Sequence, residues 1–256
     1  MKTTINALTR FPVKGLSGQS LTSVNLEPGL GFPGDRRFGF ARPNSGFDPA
    51  NPKPLPKTKF YMLARDEALA LLKTEYDDNS GILSIEAPKQ TGEFHLNTSD
   101  GKQRASEFLK QYLSLADDET PQLYEASPHR FTDVSVDSEA MMNAVSLINV
   151  DSVAAFSKAV GHDVDPRRFR GNIHLINLPA FSELDMVGQY IVIGSARLKI
   201  VARTRRCPAT EVDLETGVRD LKTPTLLREH FGHMDMGIYA QVVDGGSIAP
   251  GDEAQF

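Results

Sequence analysis

Lys199-Ile200-Val201-Ala202-Arg203-Thr204-Arg205-Arg206-Cys207-Pro208-Ala209-Thr210-Glu211-Val212-Asp213-Leu214-Glu215-Thr216-Gly217 is the stretch around which the rest of the chain is read. A β-rich run carries Arg203, Arg205, Arg206 and the only cysteine of the protein to a Cys-Pro turn, and the chain leaves through an acidic Asp-x-Glu-Thr-Gly turn. The thiolate is the nucleophilic and metal-binding form of cysteine and is stabilised by nearby cations, so Arg205 and Arg206 favour a reactive or metal-binding sulfur at Cys207. A lone cysteine is also commonly a small buried hydrophobe. Against that reading, two arginines before it and a proline after it are poor company for a core strand.

Working outward, 256 residues suffice for one large or two modest domains, and 40% apolar with 24% charged residues describes an ordinary globular chain. A net charge of -5 gives no sign of general affinity for nucleic acid or acidic lipid. Arginines nevertheless cluster at Arg36-Arg37, Arg167-Arg168-Arg170 and Arg203-Arg205-Arg206, which in an acidic protein points to a defined anionic ligand. One cysteine excludes an internal disulfide, a four-thiolate zinc site and an iron-sulfur cluster held by four thiolates. The N-terminal residues lack the apolar core of a signal peptide and no run has the length of a membrane span, so the expected location is cytoplasmic, with neither membrane nor nucleic acid as partner.

Residues 3 to 11 read as a strand entering the turn Phe11-Pro12-Val13-Lys14-Gly15, and 20 to 26 alternate again before Glu27-Pro28-Gly29, which suggests a hairpin. Gly29-Leu30-Gly31-Phe32-Pro33-Gly34 matches the letters of a dinucleotide-binding loop, but it is interrupted by Pro33 and followed by a strand-like run instead of a helix. Residues 44 to 59 form a long Pro- and Asn-rich surface loop, a candidate flap over a site. Helical spacing predicts helices over 63–76 and 106–115, with short strands at 82–87 and 93–96 between them. Further on, 145–150 reads as a buried strand leading into a helix over 152–160, capped by Asp151 and closed by Gly161. Strands are expected at 173–177, in a hairpin of 190–194 with 197–203, and at 237–243, with a short helix at 225–231. The expected fold is mixed α+β and mainly β, in two domains, 1–100 and 101–256.

Arg167, Arg168 and Arg170 beside Gly171 and Asn172 suit a phosphate or other polyanion, since Arg offers planar bidentate donors and Gly permits close backbone approach. With Lys14 and Arg36 they would set the ligand between the two halves. The six histidines show no zinc-binding spacing, and no serine sits in a nucleophile elbow. A nucleophilic Cys207-His pair stays open, because such partners meet only in space.

Five motifs in order carry a family resemblance: Pro12-Val13-Lys14-Gly15; Gly34-Asp35-Arg36-Arg37-Phe38; Phe169-Arg170-Gly171-Asn172-Ile173; Arg206-Cys207-Pro208-Ala209-Thr210 with Val212-Asp213-x-x-Thr216-Gly217; and Gly246-x-Ile248-x-Pro250-Gly251-Asp252. Together they resemble the MOSC family, named for the C-terminal domain of molybdenum cofactor sulfurase. The likeness is to the branch with an added N-terminal MOSC β-barrel domain, which includes the mitochondrial amidoxime-reducing component and bacterial relatives. The fold this implies is a β-barrel-like N-terminal domain packed on a β-barrel MOSC domain with a few short helices.

The resemblance implies a molybdenum-pterin cofactor with Cys207 as the protein's metal ligand. Lys14, Arg36, Arg170 and Arg206 would grip it, with Asn172 as a supporting donor, Asn143 near the pterin and Asp213 near the metal as a catalytic group. Arg205 departs from the smaller residue found there in some relatives. The implied function is reduction of small N-hydroxylated compounds, such as amidoximes or hydroxylated bases. Because the sequence ends at Phe256 with one cysteine, electrons are expected from a separate donor protein. The alternative is a cofactor carrier or sulfur-transfer protein using Cys207 without turning over a substrate. A host that makes no such cofactor is expected to yield the same fold without it.

Overall fold

Apolar residues at every second position drive the architecture, because alternate side chains of a strand face opposite ways. The computed structural model describes residues 1–256. Its first half contains β1 (Thr4–Arg10), β2 (Gln19–Leu21), β3 (Val24–Leu26), β4 (Phe38–Ala41), β5 (Lys73–Asp77), β6 (Ile82–Ala87), β7 (Gln90–His95), α1 (Ser99–Tyr112) and β8 (Gln122–Glu125). The second contains α2 (Glu139–Met142), β9 (Val145–Asn149), α3 (Val150–Val160), β10 (Ile173–Ile176), β11 (Tyr190–Ile193), β12 (Ala196–Arg205), α4 (Thr223–Phe231), β13 (Asp235–Asp244), β14 (Gly246–Ile248) and β15 (Ala254–Gln255). The protein is mainly β, as its sequence predicts.

An eight-stranded sheet runs β15-β11-β12-β13-β9-β10-β1-β2. It is antiparallel except where β9 and β10 lie parallel, joined by α3 as a crossover helix. It curls into a half-barrel around Leu8, Leu147, Leu198, Ile238 and Val242. A second core gathers the three-stranded sheet β5-β6-β7, Val13, Phe38, Phe40 and one face of α1 through Ala105, Phe108 and Leu109. Outside the large sheet, α3 and α4 cover Ile148 and Met236 with Val153, Phe156 and Leu227. Each such buried side chain contributes about 1.5–3 kcal/mol. The chain's first two strands therefore belong to the large sheet, and Lys14 begins where the chain leaves it for the second core.

Several local readings are corrected. Residues 63–76 do not form a helix; a short 3-10 turn at Glu67–Leu71 leads into β5, where Thr74 and Tyr76 face inward and Lys73, Glu75 and Asp77 outward. The run of leucines has helical spacing for one turn only, and pairing with β6 then wins. The next helix starts at Ser99, earlier than its apolar spacing suggested, with the Thr98 hydroxyl accepting from the Gly101 amide at 3.0 Å. Its first turn is polar and gives no periodic signal. The cap of α3 is Asn149, whose Oδ1 accepts from the Asp151 amide at 3.0 Å, and Asp151 lies inside the helix instead. The hairpin expected from 3–11 and 20–26 forms only in its first part: β2 pairs antiparallel with β1, but the run breaks after Leu21 and β3 pairs with β14 far along the chain.

Candidate functional site

Cys207 sits half-buried in the wall of a cleft of about 400 Å³ that takes residues from both halves of the chain. The register between β12 and β13 shifts three times, the last between Arg203 and Arg205, and such irregularities re-aim side chains at a strand end. After β12 the Arg206 amide donates to the Met234 carbonyl at 2.8 Å, and Cys207 heads the 3-10 turn Pro208–Glu211. Its carbonyl accepts from the Thr210 amide at 3.1 Å and the Thr210 hydroxyl at 3.0 Å, so the backbone that carries the sulfur is fixed at both ends.

Cations line the rest of the cleft. Arg36 and Arg170 both adopt left-handed backbone angles, φ 47° and 52°, which costs a non-glycine residue roughly 1–2 kcal/mol. Their guanidinium carbons lie 4.4 and 4.3 Å from the centre of one ring, that of Phe11. Buried Asp35 ties this corner together, accepting from Arg36 at 2.5 Å, from the Phe11 amide at 2.8 Å and from Asn172 Nδ2 at 3.0 Å. Arg170 donates to the Leu16 carbonyl at 2.6 Å, and burial, reinforced by the Arg36 charge, pushes its pKa down to about 9. Arg206 donates to the carbonyls of Met236 and Phe169 at 2.8 and 2.9 Å, and burial pushes its pKa down to about 10. Lys14, only 5% exposed, donates to the Phe131 carbonyl at 3.0 Å and pairs with Asp133. Burial lowers its pKa and Asp133 opposes the shift.

Sequence reading missed Lys57 and Asp133. Lys57 lies at the end of the proline-rich loop, 3.5 Å from Asp133, and its ammonium is also attracted by the Cys207 sulfur. Burial works against that charge, yet Asp133 and Cys207 prevail and hold the Lys57 pKa above its usual value. The only prior signal was the loop's character as a flap. Phe47 pins that loop, packing on Phe60, Tyr124, His129 and Phe131 at centroid distances of 5.1 to 5.9 Å.

The residues singled out from sequence separate in space. Lys14, Arg36, Arg170, Asn172, Arg206 and Cys207 meet in the cleft lining, whereas Asn143 and Asp213 are not part of it. Asn172 is engaged within the protein, its Oδ1 accepting from the Ser146 amide and hydroxyl and its Nδ2 donating to Thr9 and Asp35. Asn143 ends α2. Asp213 organises its own turn through Glu215 and Thr216 and accepts from Arg168 at 2.8 Å. The 167–170 arginines split likewise: Arg167 pairs on the surface with Asp165 and Glu215, Arg168 lines the cleft but spends its charge on Asp213 and Asp220, and Arg170 lines it with no carboxylate partner. Arg203 turns to Leu184 and Asp185.

A fit test for a bound group comes from polar atoms left without partners. The Thr204 hydroxyl and Arg168 Nε are buried and make no hydrogen bond, and both residues line the cleft. Such orphaned groups are costly unless a ligand satisfies them. No set of three or more His, Cys, Asp or Glu side chains is arranged to hold a metal by itself. One soft sulfur among cations therefore suits a metal that arrives with most of its ligands on an anionic organic group, and the residues present fit the molybdenum-pterin cofactor in that respect.

These features define a mainly β protein, one curled half-barrel sheet beside a second, smaller core, that presents a lone thiol in a cationic cleft. The chain belongs to the MOSC family: the MOSC N-terminal beta barrel domain matches residues 2–126 and the MOSC domain residues 127–255. MOSC domains are associated with molybdenum cofactor binding. No curated protein matches the chain. Among solved structures, the YuaD protein from Bacillus subtilis aligns at 12% identity and TM-score 0.44, covering 99% of this chain and 94% of that one. YiiM from Geobacillus stearothermophilus aligns at 20% identity and TM-score 0.34, covering 43% and 52%. No helix is long and apolar enough to cross a membrane.

Proposed function

We propose that this protein binds a molybdenum-pterin cofactor through Cys207 and reduces small N-hydroxylated compounds to the amine and water, with electrons from a separate donor protein. The observation that supports this most is the placement of the only thiol in a cleft ringed by Lys14, Lys57, Arg36, Arg170 and Arg206. When bound, the cofactor supplies two-electron chemistry at a metal that can take the substrate oxygen. Cys207 holds that metal, and Lys14, Arg36 and Arg170 bind and orient the anionic pterin phosphate. Burial of Arg170 and Arg206 makes their attraction for an anion stronger than it is in water. Lys57, next to the sulfur, contributes a further positive charge to the cleft.

A carrier or sulfur-transfer role for Cys207 is the second reading; it draws on the same half-buried thiol. Metal and pterin analysis of protein from a molybdenum-replete host, followed by reduction of a model amidoxime with an artificial donor, separates the two. Stoichiometric molybdopterin with turnover supports the reductase, molybdopterin without turnover supports the carrier, and absence of molybdenum under every condition excludes both cofactor readings.

A further inference from the structure

Of the arginines that line this cleft, Arg36, Arg168 and Arg203 pair with carboxylates and Arg170 and Arg206 donate to backbone carbonyls, whereas Arg205 on the rim has neither kind of partner. Arg205, at the end of β12, lines the cleft and is exposed, and no carboxylate lies within 4 Å of its guanidinium. Its Nη2 instead meets the Met234 sulfur at 3.5 Å. Arg228, exposed in the last turn of α4, donates to the same sulfur at 2.9 Å and also lacks a carboxylate partner. Two guanidinium groups thus converge on a neutral thioether. Acidic residues are at hand in sequence but pair with neither: Glu229 follows Arg228, and Asp235 lies opposite Arg205 in the β12–β13 register. Like charges held together repel, and guanidinium groups without an acidic partner are the usual recognition elements for planar or tetrahedral oxyanions.

The backbone around the pair is fixed. Met234 presents its carbonyl to the Arg206 amide at 2.8 Å, and α4 ends at left-handed Gly232 two residues before Met234. Both arginines hang from elements anchored in the cores described above, so the pair does not depend on a free loop. Arg205 is also two residues from Cys207, which puts one member of the pair in the substrate's approach and the other just outside it.

We infer that Arg205 and Arg228 form an anion subsite on the rim of the cleft, which takes the carboxylate or phosphate of a substrate whose N-hydroxylated end lies at Cys207. This rests on the reductase reading for the reacting end of the substrate only. Substrates with an anionic tail are then preferred over neutral ones of the same reacting group.

The test has a binding arm and a kinetic arm. In the first, inorganic phosphate and acetate are titrated separately into the full cofactor-free chain, with backbone amide shifts of 203–207 and 228–235 followed by NMR. Saturable shifts there, weakened about tenfold in R205Q and in R228Q but retained in R104Q, are expected. Phosphate binding with no acetate response identifies the tail as phosphate, and the reverse identifies it as carboxylate. Shifts confined to residues around Lys14, Arg36 and Arg170, or equal affinity in wild type and both variants, would overturn the subsite. In the second arm, R228Q loaded with cofactor is expected to show about a tenfold fall in the ratio of kcat/KM for a carboxylated amidoxime over its neutral parent. No reduction of either amidoxime with the binding result intact removes the reductase reading and leaves the subsite. Reduction of both with an unchanged ratio removes the subsite and leaves the reductase.

Discussion

At the scale of the residue, the Thr210 amide and hydroxyl fix the Cys207 backbone by donating to its carbonyl, contacts that a serine at this position keeps. Cys207→Ser is therefore expected to keep the melting temperature of the cofactor-free protein while eliminating retained molybdenum, as measured by metal analysis; full retention would show that another ligand holds the metal. His174 gives a pH dependence. It is buried in β10, and burial pushes its pKa down to about 4, well below an ordinary histidine. Between about pH 6.5 and 4 the unfolded chain binds a proton that the folded one refuses, so the stability contribution is complete above that window and is lost as pH falls through it. On the order of 3 kcal/mol is involved, and H174L should flatten the pH dependence of the melting temperature between pH 6.5 and 4.

At the scale of the element, the strand β13 and the loop of 44–59 each depend on one residue. Gly237 has φ +79°, and a Cβ there would lie 2.2 Å from the Leu147 carbonyl oxygen in the neighbouring strand β9. It follows Met236, whose carbonyl holds the buried Arg206 guanidinium. Gly237→Ala is expected to cost at least about 2 kcal/mol, measurable by chemical denaturation. Phe47 fastens the loop that delivers Lys57 to the thiol. Phe47→Ala is expected to lose about 3 kcal/mol and to expose 48–56 to proteases; unchanged cleavage there would mean that the prolines alone hold the loop.

At the scale of the molecule, the two halves are joined across the cleft by buried charge. Lys14 pairs with Asp133, Arg36 donates to the Arg170 carbonyl at 3.2 Å, and Arg170 donates to the Leu16 carbonyl. A ligand that satisfies these cations and the unpartnered Thr204 hydroxyl binds the folded state alone. Protein carrying the cofactor should melt several degrees higher than protein from a host unable to make it, because a ligand at a thousand times its Kd adds about 4 kcal/mol.

The sequence by itself determined that the chain is mainly β and set out the short motifs that carry Cys207, Lys14, Arg36, Arg170 and Arg206, because short motifs fix local backbone and residue chemistry. Tertiary structure decided which of those chemically suitable residues share the cleft. Asp213 has the right type, yet it is taken up by its own turn and by Arg168, whereas Lys57 and Asp133 come from irregular loops with no periodic pattern. It likewise turned 63–76 from one helix into a 3-10 turn and a strand, since pairing with β6 outweighs a single turn of helical spacing. The physical reason is the same in each case: a charge or a strand edge takes its partner from whatever the folded chain brings near, and sequence spacing does not contain that distance.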